Sequence, residues 1–410
     1  MLASAATPPT SNTPAPSRSW SRIDGIDILR ALAILYVLLN HINMRLLGAH
    51  VHYLQHLPPA LATALVWQGQ RGVQIFFVVS GFLITSTSLR RWGTLSRVSI
   101  RDFYLIRFAR IAPLFLTLLA VLSLLHALGV NHYVVSPKTG GLRSALIAAL
   151  TLRVGLLEAH RGYLPANWDI LWSLSVEELF YLFFPLAARF LSRARLFFPL
   201  LAVLIILGPF ARSPLFNHND VWQEYSYLGG MDAIALGCLT AILLSHLNQA
   251  HHTLSRRALR IFLLAGLATL IFCLCLSRQT INLHLEHLGL DMTLVALGTC
   301  LLVAVSAQSR WRAPRILTPI LALGRRSYEI YLTHMFVLFF LFDRFVALGK
   351  PLRLVAPLFL ITIPCAGLFG ALVAHLYSEP LNRRLRTLFG DSPQRLGSVL
   401  DAPTSPSVIR

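Results

Sequence analysis

Apolar stretches of about 20 residues recur along the whole chain, separated by short breaks that carry basic residues, glycine or proline. That spacing is the length of a helix cut to the thickness of a bilayer, not the alternation of a strand or the stripe of a soluble amphipathic helix. The stretches lie at 27–46, 72–89, 110–129, 173–191, 196–210, 227–246, 259–277, 289–307, 327–347 and 354–377. They predict an all-α integral membrane protein of about ten transmembrane helices. The run at 196–210 is short for a crossing, and 142–157 is apolar enough to be an eleventh. A crossing at 142–157 would invert every later loop against the charge bias described next, so that segment is expected to form an outer or re-entrant helix.

Composition agrees with the pattern. The chain has 410 residues, of which 55% are hydrophobic and only 13% charged, with mean hydropathy +0.63, more apolar surface than a soluble core can hide. A net charge of +19 would suit a nucleic-acid partner only if a polar domain carried a basic face, and none is visible, so no nucleic acid is expected. Topology accounts for the charge better. With the N-terminus inside, 24 of the 36 Lys and Arg fall on the inner side and 11 on the outer, with Arg30 within a span, which predicts both termini to be cytoplasmic. Residues 1–25 read as a disordered cytoplasmic tail with no signal peptide, 26–378 as the membrane domain and 379–410 as a cytoplasmic C-terminal tail. The five cysteines sit in apolar runs and read as packing residues. His50, His52 and His56 lack accompanying acids or cysteines, so no metal site is expected.

The informative residues are the charges inside the spans. In "ILRALAILYVLLNH", 28–41, Arg30 and His41 are eleven residues apart, three turns plus about 20°, so they share one helix face roughly 16 Å apart along its axis. Ionisable groups at such depth are costly unless they face a bundle interior or a wet cavity. "NWDILWSLSVEELFYLFFP", 167–185, brings Glu177 and Glu178 into the fourth span from the outer side, towards the depth of His41. A carboxylate beside an imidazole orients it as a general base. "RDFYLIRFARIAPLF", 101–115, sets Arg107 and Arg110 one turn apart where the third span begins, with Arg30 at similar depth, as a phosphate clamp would require. "SYEIYLTHM", 327–335, adds Glu329 and His334, to which no role is assigned. Each residue has an ordinary explanation too. Arg30 could snorkel to headgroups, His41 could be an interhelical hydrogen bonder, Arg107 and Arg110 could simply obey the positive-inside rule, and Glu178 could favour a helix start.

These stretches, with "IDGIDILRALAILYVLLNHIN" and "GVQIFFVVSGFLIT", occur in the order and character of bacterial acyltransferase family 3, the integral membrane O-acyltransferases of surface polysaccharides, nodulation factors and macrolides. The chain resembles that family over about residues 22–380. The resemblance implies a ten-helix domain in the bacterial cytoplasmic (inner) membrane, using acyl-coenzyme A, usually acetyl-CoA, and acylating a hydroxyl of a sugar or glycoside. It carries the family's essential first-helix Arg and His onto Arg30 and His41, its R-x-x-R pair onto Arg107 and Arg110, and its S-x-x-x-E acid onto Glu177. Leu179 departs from the family, where many members have Gln after the paired acids. The family's esterase-like extension is expected to be lacking. On this reading Arg30, Arg107 and Arg110 hold the donor's phosphates. His41, oriented by Glu177, deprotonates the acceptor or carries the acyl group. Ser80 and Gly81 let helices approach, with an oxyanion role for Ser80 open. A proton-coupled transporter or flippase of a glycan precursor would also bury Arg, His and Glu. A covalent ester separates the two.

Overall fold

A computed structural model describes residues 23–250, 252–309 and 311–389; the tails expected at either end fall largely outside these residues. Among them the chain is helical throughout, with no strand. Among the described residues, nine helical segments are long and apolar enough to cross a membrane: α1 (Asp24–Gly48), α2 (Gly69–Trp92), α3 (Ile100–Ala127), α6 (Ala166–Leu191), α8 (Asp220–Gln249), α9 (Arg256–Cys275), α10 (Asp291–Gln308), α11 (Ser327–Ala347) and α12 (Leu352–Leu388). The helix α7 (Phe197–Arg212) has only 16 residues and matches the short run at 196–210. The segment expected at 142–157 is split into α4 (Gly141–Leu150) and α5 (Val154–Arg161). Leu152, at φ 58°, breaks it, because a non-glycine residue in the left-handed region ends a helix. Neither half is long enough to cross. Residues 379–388, expected in the C-terminal tail, continue α12 as a helix packed on α3.

Two helices start well before their apolar runs, and this moves the site. α3 begins at Ile100, where Ser99 caps it by accepting from the Asp102 amide at 3.3 Å, a standard N-terminal stop. Hydropathy misses this first part because "RDFYLIRFAR" is charged, yet it is helix. α6 likewise begins at Ala166, seven residues before the expected span. Pro113 lies inside α3 and lacks the N–H its turn needs. The hydroxyls of Tyr328 and Tyr377 reach nearby carbonyls, Ile111 at 2.9 Å and Pro113 at 3.4 Å, and tie α3 to α11 and α12.

The core forms around α1, which packs on α2, α10, α11, α12 and the short helix Thr318–Arg325. Ala33, Ile34, Val37, Leu38 and Ile42 are buried there. α2 crosses α8 at glycines. A Cβ on Gly81 would overlap the Ile234 carbonyl, and one on Gly237 the Val78 carbonyl, so small residues let the two backbones touch. The close approach expected at Gly81 is what forms. Side chains such as Leu264, Ile271, Leu360 and Leu368 are left on the outside, an apolar surface suited to lipid.

Candidate active site

Five helices enclose a cavity of about 270 Å³. α1 contributes Arg30, α2 Ser80, α3 Arg107 and Arg110, α6 Ser173, Glu177, Glu178 and Tyr181, and α11 Ser327, Tyr328 and Tyr331. Four of the five residues given catalytic or donor-binding roles from the sequence, Arg30, Arg107, Arg110 and Glu177, therefore meet in one place. His41 is not part of this lining.

The carboxylate Glu177 accepts hydrogen bonds from Ser80 Oγ at 2.5 Å and from the Tyr181 hydroxyl. It does not reach His41, so the expectation that Glu177 orients the imidazole is corrected. The reason is the early start of α6: eleven residues separate Ala166 from Glu177, roughly 16 Å of helix, which carries the acid past the depth of His41 to the level of Arg30. His41 lies instead against His334 of α11, whose Nε2 is 3.0 Å from His41 Nδ1; the ring centroids are 5.0 Å apart. Tyr331 connects the two places. It lines the cavity, its ring centroid is 6.0 Å from that of His334, and its hydroxyl meets Ser173 Oγ at 2.6 Å and the Ile170 carbonyl at 2.8 Å.

The three arginines differ in availability. Arg110 Nη1 bonds Glu329 Oε1 at 2.8 Å, Ser378 Oγ donates to the same oxygen at 2.8 Å, and the Arg110 guanidinium lies 5.2 Å from the Tyr328 ring. Ser378 is presented from a π-helical turn, Ala374–Ser378, the kind of bulge that re-aims a side chain. Arg110 is thus already neutralised by Glu329, the buried acid that sequence reasoning left without a role. Arg107 stacks its guanidinium 3.7 Å from the centre of the Tyr181 ring, and its Nε is buried without a partner. Arg30 Nε donates to Ser327 Oγ at 3.1 Å. Among the described residues neither Arg30 nor Arg107 has a carboxylate at ion-pair distance. Glu178 Oε1 is likewise buried and unpartnered. It also faces, with Arg107 and Tyr181, a second cavity of about 310 Å³ lined by Phe103, Phe108, Phe115 and Leu150.

Arg30 and His41 do share one face of α1, and both partners come from α11: Ser327 below and His334 two turns above. The two helices therefore rise in the same direction. The sequence reading missed Tyr181, Ser327, Tyr328 and Tyr331. Helical spacing held the signal, since Tyr181 is one turn from Glu177, and Tyr331 one turn from both Ser327 and His334.

A family model described as an acyltransferase domain matches residues 23–374. The O-acetyltransferase OatA of Staphylococcus aureus strain NCTC 8325 is 23% identical over 398 residues, covering 92% of this chain and 60% of that protein. OatA of S. aureus strain MRSA252 is 23% identical over 396 residues, covering 91% and 59%. The chain thus spans about three fifths of the length of these curated relatives. No solved structure matches it.

Proposed function

The chain belongs to the acyltransferase family whose model covers residues 23–374, and from that premise we propose that this multi-pass membrane protein transfers an acetyl group from acetyl-CoA, or another acyl-CoA, to a hydroxyl of a sugar or glycoside. The setting is the bacterial cytoplasmic membrane, with the Arg30 end and both termini on the cytoplasmic side and cell-surface polysaccharide as the acceptor class. The names of the relatives support acetyl as the group moved.

The observation that carries the reading is a cavity inside the bundle that holds two arginines without carboxylate partners, one with a buried orphan donor. Cations left in that state at membrane depth fit an anionic ligand. Acyl-CoA fits them: its phosphates would lie on Arg30 and Arg107, with Arg110 close by in its pairing to Glu329. When bound, it supplies a thioester, an activated acyl group on a good leaving sulfur. Arg107, stacked on Tyr181, presents a planar fork suited to bidentate phosphate binding. His41 takes the proton of the acceptor hydroxyl as its oxygen bonds to the acyl carbon, and returns that proton to the sulfur as the C–S bond breaks. Ser80, Glu177 and Tyr181 form a hydrogen-bonded set on the cavity wall that orders the polar end of this path.

The purified full chain, in lipid nanodiscs with radiolabelled acetyl-CoA and surface glycan, should form an alkali-labile ester. His41→Ala should reduce its rate by a factor of about 10²–10⁴, the usual worth of a general base, with expression and melting retained. Glu177→Gln should lose much of the rate and Glu178→Gln little. Undiminished ester formation by His41→Ala would overturn the assignment of the base, and no ester from the wild-type chain on any hydroxyl acceptor would overturn the reaction.

A further inference from the structure

We propose that His334 is a positioning residue that fixes the tautomer of His41, leaving His41 Nε2 as the nitrogen that works on substrate. The inference rests on the reading of His41 as the base and says how that base is prepared.

The argument is one of donors and acceptors. His334 Nδ1 lies 2.7 Å from the Tyr331 carbonyl and 3.2 Å from the Ile330 carbonyl. Carbonyl oxygens only accept, so Nδ1 carries the proton. In a neutral imidazole the other nitrogen then has the lone pair, so His334 Nε2 is an acceptor. His334 Nε2 is 3.0 Å from His41 Nδ1, and that contact is a hydrogen bond only if His41 Nδ1 is the donor. With its proton committed there, neutral His41 has its lone pair on Nε2. Two backbone carbonyls of α11 thus determine, through one ring, which nitrogen of a second ring is basic.

The arrangement does the work of the carboxylate in a Ser-His-Asp triad without burying an anion. When His41 Nε2 accepts the acceptor's proton, the charge is shared with a neutral imidazole already aligned to receive its Nδ1–H. At this depth that is the less costly partner, because a permanent carboxylate would need its own compensation before any substrate arrived. It also explains why Glu177 need not be near His41. Burial holds the geometry, since His334 is fully enclosed and Tyr331, whose carbonyl locks it, is itself held by Ser173 and the Ile170 carbonyl.

The side-chain amides separate positioning from packing. A Gln at 334 can place an oxygen where Nε2 stands and accept from His41; an Asn reaches only as far as Nδ1, toward the backbone carbonyls. In the full chain in nanodiscs, with acetyl-CoA and glycan, His334→Phe should lower kcat by about 10²-fold or more while KM for acetyl-CoA stays within about twofold. His334→Gln should recover at least tenfold over His334→Phe, and His334→Asn should not. Equal rates in wild type and His334→Phe, or recovery by Asn as good as by Gln, would overturn the proposal. Should the variants fail to fold, the wild type decides. ¹⁵N-histidine solid-state spectra, with the His41 signals identified as those lost in folded His41→Ala, should show His41 protonated at Nδ1 and bare at Nε2. The opposite tautomer would overturn the inference. Activity surviving in His41→Ala would instead remove the base assignment, and the spectra would still report the pairing.

Discussion

Two of the charged groups inside the bundle differ in how fully their atoms are partnered. Around Arg212 and Asp232, between α7, α8 and α10, every side-chain nitrogen and oxygen of the two residues has a partner. The guanidinium grips both carboxylate oxygens at 2.9 and 2.8 Å, Thr293 bridges them at 2.6 and 2.7 Å, Gln74 donates to Asp232 at 3.1 Å, and the Gly289 and Gly229 carbonyls take the remaining N–H groups. In the cavity of α1, α3 and α6, by contrast, Arg107 Nε and Glu178 Oε1 are buried with nothing to bond. Both groups are charged and both are deep, so neither charge nor depth tells a structural lock from a site. Satisfaction does: a closed network is complete without a ligand, whereas an open one keeps a desolvation cost that only a ligand removes.

The largest effect expected from this contrast is on folding. Arg212→Ala or Asp232→Ala leaves its partner's charge buried and alone, which costs about 3–5 kcal/mol, a large share of a typical domain's stability. Each variant should melt far below the wild type in detergent or fail to give monodisperse protein, and Arg212→Met combined with Asp232→Leu should recover most of the loss. Arg107→Ala removes a cation that no carboxylate holds, so its melting should stay within about 1 kcal/mol of the wild type while acetyl transfer is lost. If Arg107→Ala destabilises as much as Arg212→Ala, the distinction between lock and site collapses.

A finer test runs within the arginine pair itself. Arg107→Lys keeps the charge but loses the planar stack on Tyr181 and the fork, and should weaken acetyl-CoA binding by about 1–3 kcal/mol with melting unchanged. Arg110→Lys disturbs the bond to Glu329 and the contact with Ser378, so it should lower melting more than it lowers donor affinity. Calorimetry for binding and a thermal ramp for stability give the two axes. Equal loss of donor affinity in both variants would return Arg110 to the clamp expected from the sequence.

The sequence carried the bundle because hydropathy reports burial in lipid directly: the ten expected runs correspond to nine long helices and the short α7. It carried the membership of the cavity as well, since Arg30, Arg107, Arg110 and Glu177 are rare charges in apolar context. Partnerships were not legible. Hydropathy cannot see the polar first turns of α3 and α6, so Glu177 was placed beside His41 when it lies well below it. The pairing of His41 with His334 joins residues 293 apart, and no local period encodes that. Arg212 alone resembles an ordinary flanking charge, whereas Asp232 lies inside the run 227–246, where the rule that picked out Arg30 applies to it as well.

The smallest expected effect concerns a third region, partly closed, next to α5. Glu158 Oε1 accepts the Leu164 amide at 3.0 Å and its carboxyl is hydrogen-bonded to Asp169, while both amide atoms of Asn167 and the Trp168 indole nitrogen are buried without a partner. Burial, and then the neighbouring Asp169, push the Glu158 carboxyl well above its ordinary value of 4.5, with the Leu164 amide pulling the other way. A raised value in the folded state means that the native protein holds this proton more tightly than the unfolded chain does. The associated stability is fully present below about pH 4.5 and is lost as the pH rises through the folded-state value. Where the native group is protonated and the unfolded one is not, the slope approaches about 1.4 kcal/mol per pH unit for a single proton. Glu158→Gln keeps an acceptor for Leu164 and is neutral at every pH, so melting curves taken from pH 4.5 upward should fall less steeply than those of the wild type. An unchanged slope would mean that Glu158 is ionised in the folded protein. An ionised Glu158 buried beside Asp169 would then belong with the open cavity of Arg107 and Glu178, and the region would have to be counted as a site awaiting a partner.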